Sequence, residues 1–476
     1  MSSGDLSDIK IEDNPQKLPR LNLPAMLRLG LCQTGLGMMS VLTFGVLNRV
    51  LIRELGVPAT LATVILALTL FVAPARVWFG QLSDTKPLWG YHRTGYVWIG
   101  AASLAIVAFI AVQVMWQVGA SLKAEGWTNQ TYTWTALLAF LFALYGLAVS
   151  ACSTPFATLL VDVSDEDNRS QLVGIDWSML IGGTIVGAII IGALLKKITI
   201  NAPIEELQAA INRLFLIVPA IVFGLALLGT WGIEKKYSRY AMRSTLVNKE
   251  AKITLGRAWR ILTASRQTQL FFTFLVMMTL GLFMQDAILE TYGGDVFKMQ
   301  VGETATLNAF WGTGTLFGLL GTGFFLAPRL GKRNTTKLGC VLVAVSLIWV
   351  ILSGFTQNPK LLQTALLFFG LVSGVATTGA LTLMLDLTAA ETAGTFIGAW
   401  GLAQALAKGV ATIAGGAVLD IGKKIFTDLV VAYGLVFLLQ GLVMLLAVWY
   451  LGKVNVTEFR TNAREAIATV LQNELD

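Results

Sequence analysis

Histidine is almost absent from this chain: one residue, His92, in 476. Metal centres and haem sites built on paired imidazoles are excluded by that shortage. Cysteine is nearly as scarce. Cys32, Cys152 and Cys340 lie far apart in apolar runs, a pattern of packing residues rather than of a disulfide framework or metal cluster. Charge is the third shortage, since 13% of residues are charged, 55% are hydrophobic and the mean hydropathy is +0.69. Soluble domains do not have that composition, so a polytopic membrane protein is expected. Phosphate loops, a Ser/His/Asp set and metal-ligand spacings are missing as well, and no enzyme is expected.

What the chain does have is apolar runs of spanning length, about 20 residues each. Twelve can be read: 26–50, 58–80, 95–118, 133–160, 171–195, 211–233, 269–289, 303–327, 336–355, 361–387, 394–419 and 428–451. The organisation is a tail (1–25), a six-helix half (26–233), a basic linker (234–268), a second six-helix half (269–451) and a tail (452–476). The first tail lacks the pattern of a signal peptide. Lys and Arg number 23 on the side of the termini and 10 on the other, which puts both termini in the cytoplasm. The net charge of +7 is then a matter of anionic lipid, with no nucleic acid expected. In the linker, Leu255, Trp259 and Leu262 fall on one face beside Arg257 and Arg260. In the last tail, Phe459, Ala463, Ile467, Val470 and Leu471 do the same. Both read as helices lying on the membrane surface.

The halves resemble each other at a constant offset of 224, which lays Ser153 on Thr377, Asp162 on Asp386, Gly174 on Gly398 and Gly192 on Gly416. After the second run, "GQLSDTKPLWGYHRTG" is similar to the loop signature of the major facilitator superfamily, with Gly80, Leu82, Asp84, Gly90 and Arg93 in the matching places. Gly80 is read there as a point of close helix approach and Asp84 as a cap or ion-pair partner. The implied fold is an all-α membrane protein of twelve transmembrane helices in two pseudo-symmetric six-helix halves. Asp162 and Asp386 end the fourth and tenth runs, where a structural gate role is expected. Lys408 lies deep in the eleventh run and needs a cavity or a partner carboxylate.

The strongest signal is "MQDAILETYGG", residues 284–294, where Gln285, Asp286 and Glu290 stand inside an apolar run. On one continuous helix Asp286 and Glu290 share a face, with Gly293 and Gly294 ending the helix after Tyr292. With "GVLNRVLIRELG", residues 45–56, and the expanded second loop, this stretch resembles the PucC/LhaA-type proteins, the bacteriochlorophyll delivery branch of the major facilitator superfamily. The resemblance implies a factor for assembling light-harvesting or photosystem complexes in a photosynthetic (thylakoid or inner) membrane. Such a factor handles or delivers chlorophyll or bacteriochlorophyll, bound transiently, with antenna or photosystem membrane proteins as partners. With His92 as its one histidine, the chain is not an antenna holding many pigments on imidazoles. The candidate pigment or substrate contacts are Gln33, Asn48, Gln285, Asp286, Glu290, Tyr292 and Lys408. Arg49, Gly80, Asp84, Arg93, Asp162, Asp386, Gly293 and Gly294 are the structural or gating set. Arg49 is expected to pair with Glu290 or Asp286, and Gln285, Asp286, Glu290 and Tyr292 to face the seam between the halves. Two other functions fit the same residues: a cation-coupled small-solute transporter, and a scaffold that docks antenna helices without transport.

Overall fold

The computed structural model describes residues 19–164, 166–198, 202–238, 266–387 and 393–455, nearly all of them helical. The linker residues 239–265 and the tail 456–476, with their expected surface helices, lie outside the described residues. Asn22 opens the first span by accepting a hydrogen bond from the Ala25 amide at 3.1 Å, which satisfies one of the free donors of a helix start. That span, α1 (Leu23–Glu54), contains two π-helical stretches, Val41–Leu47 and Val50–Glu54.

The second span is divided where Pro74 cannot donate to the preceding turn, giving α2 (Ala59–Phe71) and α3 (Ala75–Thr85). Four spans complete the first half: α4 (Thr94–Glu125), α5 (Asn129–Val163), α6 (Glu166–Leu194) and α7 (Ile204–Thr230), followed by the short α8 (Ile233–Tyr237). In the second half, span seven is α9 (Arg266–Phe283) and α10 (Leu289–Phe297). Span eight is α11 (Val301–Gly321), a π-helical turn and α12 (Ala327–Leu330). The last four are α13 (Lys332–Thr356), α14 (Pro359–Leu387), α15 (Ala393–Ile425) and α16 (Leu429–Lys453).

Nine helices among the described residues are long and apolar enough to cross a membrane. Spans two, seven and eight fall outside that measure, two and seven being divided into separate helices. The halves meet along α6 against α11 and α2 against α15. Large apolar side chains such as Phe140, Phe317 and Leu442 are 58%, 64% and 55% exposed on the outside of the bundle. Water would not tolerate that surface, and lipid does.

Span seven departs from the expected single helix. It stops at Phe283, turns through Met284–Ile288 and restarts at Leu289, so Gly293 and Gly294 lie within α10 rather than ending the helix. Lys298, in the left-handed conformation at φ 57°, is the residue that ends it.

Candidate functional site

Spans one and seven occupy equivalent places in the two halves, and both are irregular at the same level. A break inside a membrane leaves carbonyls without amide partners, each costly unless another donor arrives. Side-chain amides supply the donors here. Asn48, between the two π-helical stretches, donates to the Ala287 carbonyl. Gln285 Nε2 donates to the Leu282 carbonyl at 2.8 Å, and Gln440 Nε2 to the Gly281 carbonyl at 3.0 Å and to Gln285 Oε1. The break is therefore held by amides from spans one, seven and twelve, a construction that puts polar groups at mid-depth.

Glu290, in the first turn of α10, is 3% exposed. Its Oε1 accepts from Asn308 Nδ2 at 2.6 Å, while Oε2 has no hydrogen-bond partner among the described residues. Asn48 Oδ1 is in the same condition. The Glu290 carboxyl rests against Gly45 of span one, where any Cβ would overlap Oε1. Gly45→Ala is accordingly expected to destabilise the protein by about 1–3 kcal/mol, the usual range for overpacking. Thermal melting in detergent measures it, and Glu290→Asp, which withdraws the carboxyl by one methylene, should restore much of the loss in the double variant.

Arg49 does not pair with Glu290 or Asp286 as expected. The side chain is 1% exposed and donates to the carbonyls of Met299 and Gln300, both at 2.9 Å, and to Thr304 Oγ1, with Glu54 at 3.8 Å. The reason lies in the end of α10: the chain turn at Lys298 presents these acceptors directly to the two terminal nitrogens of the guanidinium, while Nε has no partner among the described residues. Asp286 instead pairs with Lys408 at 3.1 Å.

The expected orientation of the polar set also divides. Asp286 and Glu290 face the seam, whereas Gln285 and Tyr292 point into the second half. Tyr292 is fully buried against Phe297, Tyr433 and Phe437, with its hydroxyl donating to the Val350 carbonyl at 3.1 Å. The five-residue turn resets the helical phase, so spacing along a straight helix misplaces two of four side chains. Gly293 lies against Leu307 and Thr304, and Gly294 against Arg53 and Arg49. Gln33 is elsewhere, donating to Asp176 Oδ2 at 2.8 Å within the first half.

Of the gating set, Arg93, Asp84 and Asp162 gather at the end of the bundle that carries the termini. Arg93, 3% exposed, meets Asp84 at 2.5 Å, Asp162 at 2.9 Å and Ser83 Oγ at 2.6 Å. Burial opposes its charge, but Asp162 and Asp84 outweigh that and raise its pKa above the ordinary value. Glu234 accepts from the amides of His92 at 2.6 Å, Arg93 at 3.1 Å and Thr94 at 2.6 Å. Gly80 is not a close approach, because a Cβ there would meet Thr154 at an ordinary 3.7 Å. The side chain of Asp386 lies outside the described residues.

At the opposite end, contacts cross between the halves. Asp295 meets Arg53 at 3.1 Å and Lys423 at 3.2 Å and accepts from the Tyr433 hydroxyl at 2.7 Å. Asp420 accepts from the amides of Ala59 at 3.0 Å and Thr60 at 2.7 Å, capping the start of α2. Asp295, Arg53, Asp420, Glu234, Asp176 and Asn308 were not singled out from sequence. Asp176 carried a signal, an acid inside an apolar run; the others look like ordinary loop or helix-end polar residues.

Comparison with known proteins agrees with this architecture. The family model described as PUCC protein matches residues 46–459. Protein PucC of Rhodobacter capsulatus is 30% identical over 437 residues, covering 90% of this chain and 91% of that one. A protein of the same organism named bacteriochlorophyll synthase 44.5 kDa chain is 31% identical over 427 residues, covering 88% and 92%. Among solved structures, the nucleoside transporter NupG superposes with a TM-score of 0.65 at 13% identity, covering 90% of this chain and 98% of that one. With a fold of the major facilitator type and a family match over most of its length, the chain belongs to the PucC family of multi-pass membrane proteins.

Proposed function

We propose that this protein handles chlorophyll-type pigment and delivers it to light-harvesting or photosystem proteins during their assembly, in a photosynthetic membrane with both termini cytoplasmic. The observation that carries the reading is the broken span seven. It sets a buried carboxyl oxygen, Glu290 Oε2, and an amide oxygen, Asn48 Oδ1, within the bundle on the seam without partners among the described residues. Chlorophyll-type cargo is a large apolar ring around a hard cation that prefers oxygen ligands, and an apolar seam with buried, unpartnered oxygens that a small rearrangement would expose suits it. The names of the relatives, Protein PucC and a bacteriochlorophyll synthase chain, point to the same pigment class. A carrier rather than a synthase is favoured because a transporter-like fold is the scaffold.

The test is the absorption spectrum of the gently solubilised protein, with Asp286→Asn and Glu290→Gln beside the wild type. Pigment bands in the wild type that fall in the variants, at near-normal abundance and with reduced antenna assembly, are expected. Uptake of a small solute driven by a proton gradient, without pigment, would instead make the protein a coupled transporter. Stable antenna association with neither pigment nor uptake would make it a scaffold. Normal abundance and normal antenna assembly in both variants would sink the pigment reading.

A further inference from the structure

Lys408 lies midway along α15, and its Nζ stands 3.1 Å from Asp286 Oδ2 in the span-seven break. Despite that depth the two side chains remain 30% and 22% exposed. An ion pair open to lipid at mid-membrane is untenable, so the opening is to the space between the halves. Two rings fix the place. Lys408 Nζ lies 4.3 Å from the ring centre of Phe283, on span seven, and 5.8 Å from that of Phe44, on span one of the other half. The second Asp286 oxygen is occupied, since Oδ1 accepts from Gln285 Nε2 at 3.1 Å. What opens on the seam is a shared Oδ2, an ammonium with further N–H donors, and two aromatic faces.

We propose that this pair recognises the free carboxylic acid of a flat tetrapyrrole, that is, the unesterified pigment acid, in preference to its long-chain ester. The inference rests on the pigment reading above and narrows it. A carboxylic acid accepts from Lys408 Nζ and donates its own proton towards Asp286 Oδ2, so the two carboxyls share one proton and one negative charge, which the ammonium balances, and the group stays neutral. An ester can accept only, leaving Asp286 with nothing in return, and its hydrocarbon tail has to pass a charged pair. Phe283 and Phe44, over which the ammonium sits, supply apolar edges beside the pair for the ring that bears the acid. Sites that hydrogen-bond a ligand's acidic proton discriminate strongly against analogues lacking it.

Purified full-length protein in lipid nanodiscs is titrated with a magnesium-containing chlorophyllide and, separately, with its phytyl ester, read by fluorescence quenching. Tighter binding of the acid, by roughly tenfold or more, is expected for the wild type. The double variant Asp286→Asn, Lys408→Met removes the pair without stranding either charge, and it should bind both pigments alike at an unchanged melting temperature. Equal binding of acid and ester by the wild type overturns this inference and leaves the pigment reading standing. A preference that survives in the double variant overturns the assignment to these two residues. Binding of neither pigment overturns both readings.

Discussion

Replacing Arg93 by methionine is expected to lower the stability of the solubilised protein by about 3–5 kcal/mol, the cost of breaking a buried ion pair. Asp162 is the group most affected: it is 5% exposed and loses the guanidinium that stands 2.9 Å away. Asp84 contributes little to that figure because its side chain is 50% exposed and water replaces the lost pair. Thermal melting and membrane abundance measure the effect. Arg93→Met combined with Asp162→Asn should recover most of the loss, since the buried charge is then gone. A melting temperature for Arg93→Met equal to the wild type would show that the cluster holds nothing together.

The second large effect is conformational. Asp295→Asn takes the negative charge from between Arg53 and Lys423, of which Arg53 belongs to the first half and Lys423 to the second. With these side chains 15–31% exposed, the lost attraction is an intermediate one. Each roughly 1.4 kcal/mol shifts a two-state equilibrium about tenfold. The end of the bundle away from the termini should therefore open more often. Cys32, Cys152 and Cys340 are all buried, which leaves a low background for thiol labelling. A cysteine placed at Met299, 3% exposed beside this contact, should react faster with a membrane-impermeant maleimide in the Asp295→Asn protein. An unchanged rate would mean that the Asp295 contacts do not keep that end shut.

Hydropathy made the twelve spans legible because lipid forces each crossing to be a long apolar run. The exceptions were local. Pro74 announces the division of span two, but nothing in "FMQDAILE" announces a turn, since no proline or glycine stands between Phe283 and Glu290. The turn exists because Asn48 and Gln440, distant in sequence, satisfy the carbonyls it frees. Tertiary donors of this kind leave no local trace. For the same reason the sequence shows that Lys408 needs a cavity or a partner carboxylate and not that the carboxylate is Asp286. Arg49 is expected at Glu290 or Asp286, whereas two backbone carbonyls, which every residue carries, and Thr304 Oγ1 are its hydrogen-bond partners. Charge pairing across a fold is readable from sequence in kind, and its geometry is not.

Glu234 is made last in the first half, yet it closes that half by accepting the amides that begin α4. Once residue 238 has left the ribosome, the Arg93 cluster has every partner named above, and the first six spans can settle in the bilayer as a finished unit. Asn48, Arg49, Arg53 and the amides of Ala59 and Thr60 are among the exceptions. Their partners, Ala287, Met299, Gln300, Thr304, Asp295 and Asp420, are synthesised some fifty or more residues later. The half-made protein thus carries a cationic notch at Arg49 and Arg53 in its apolar flank, and the arrival of spans seven and eight fills it. That notch gives biosynthesis a direction: the second half is templated on the first. Two separately expressed halves, divided within the linker, should find each other through this same notch.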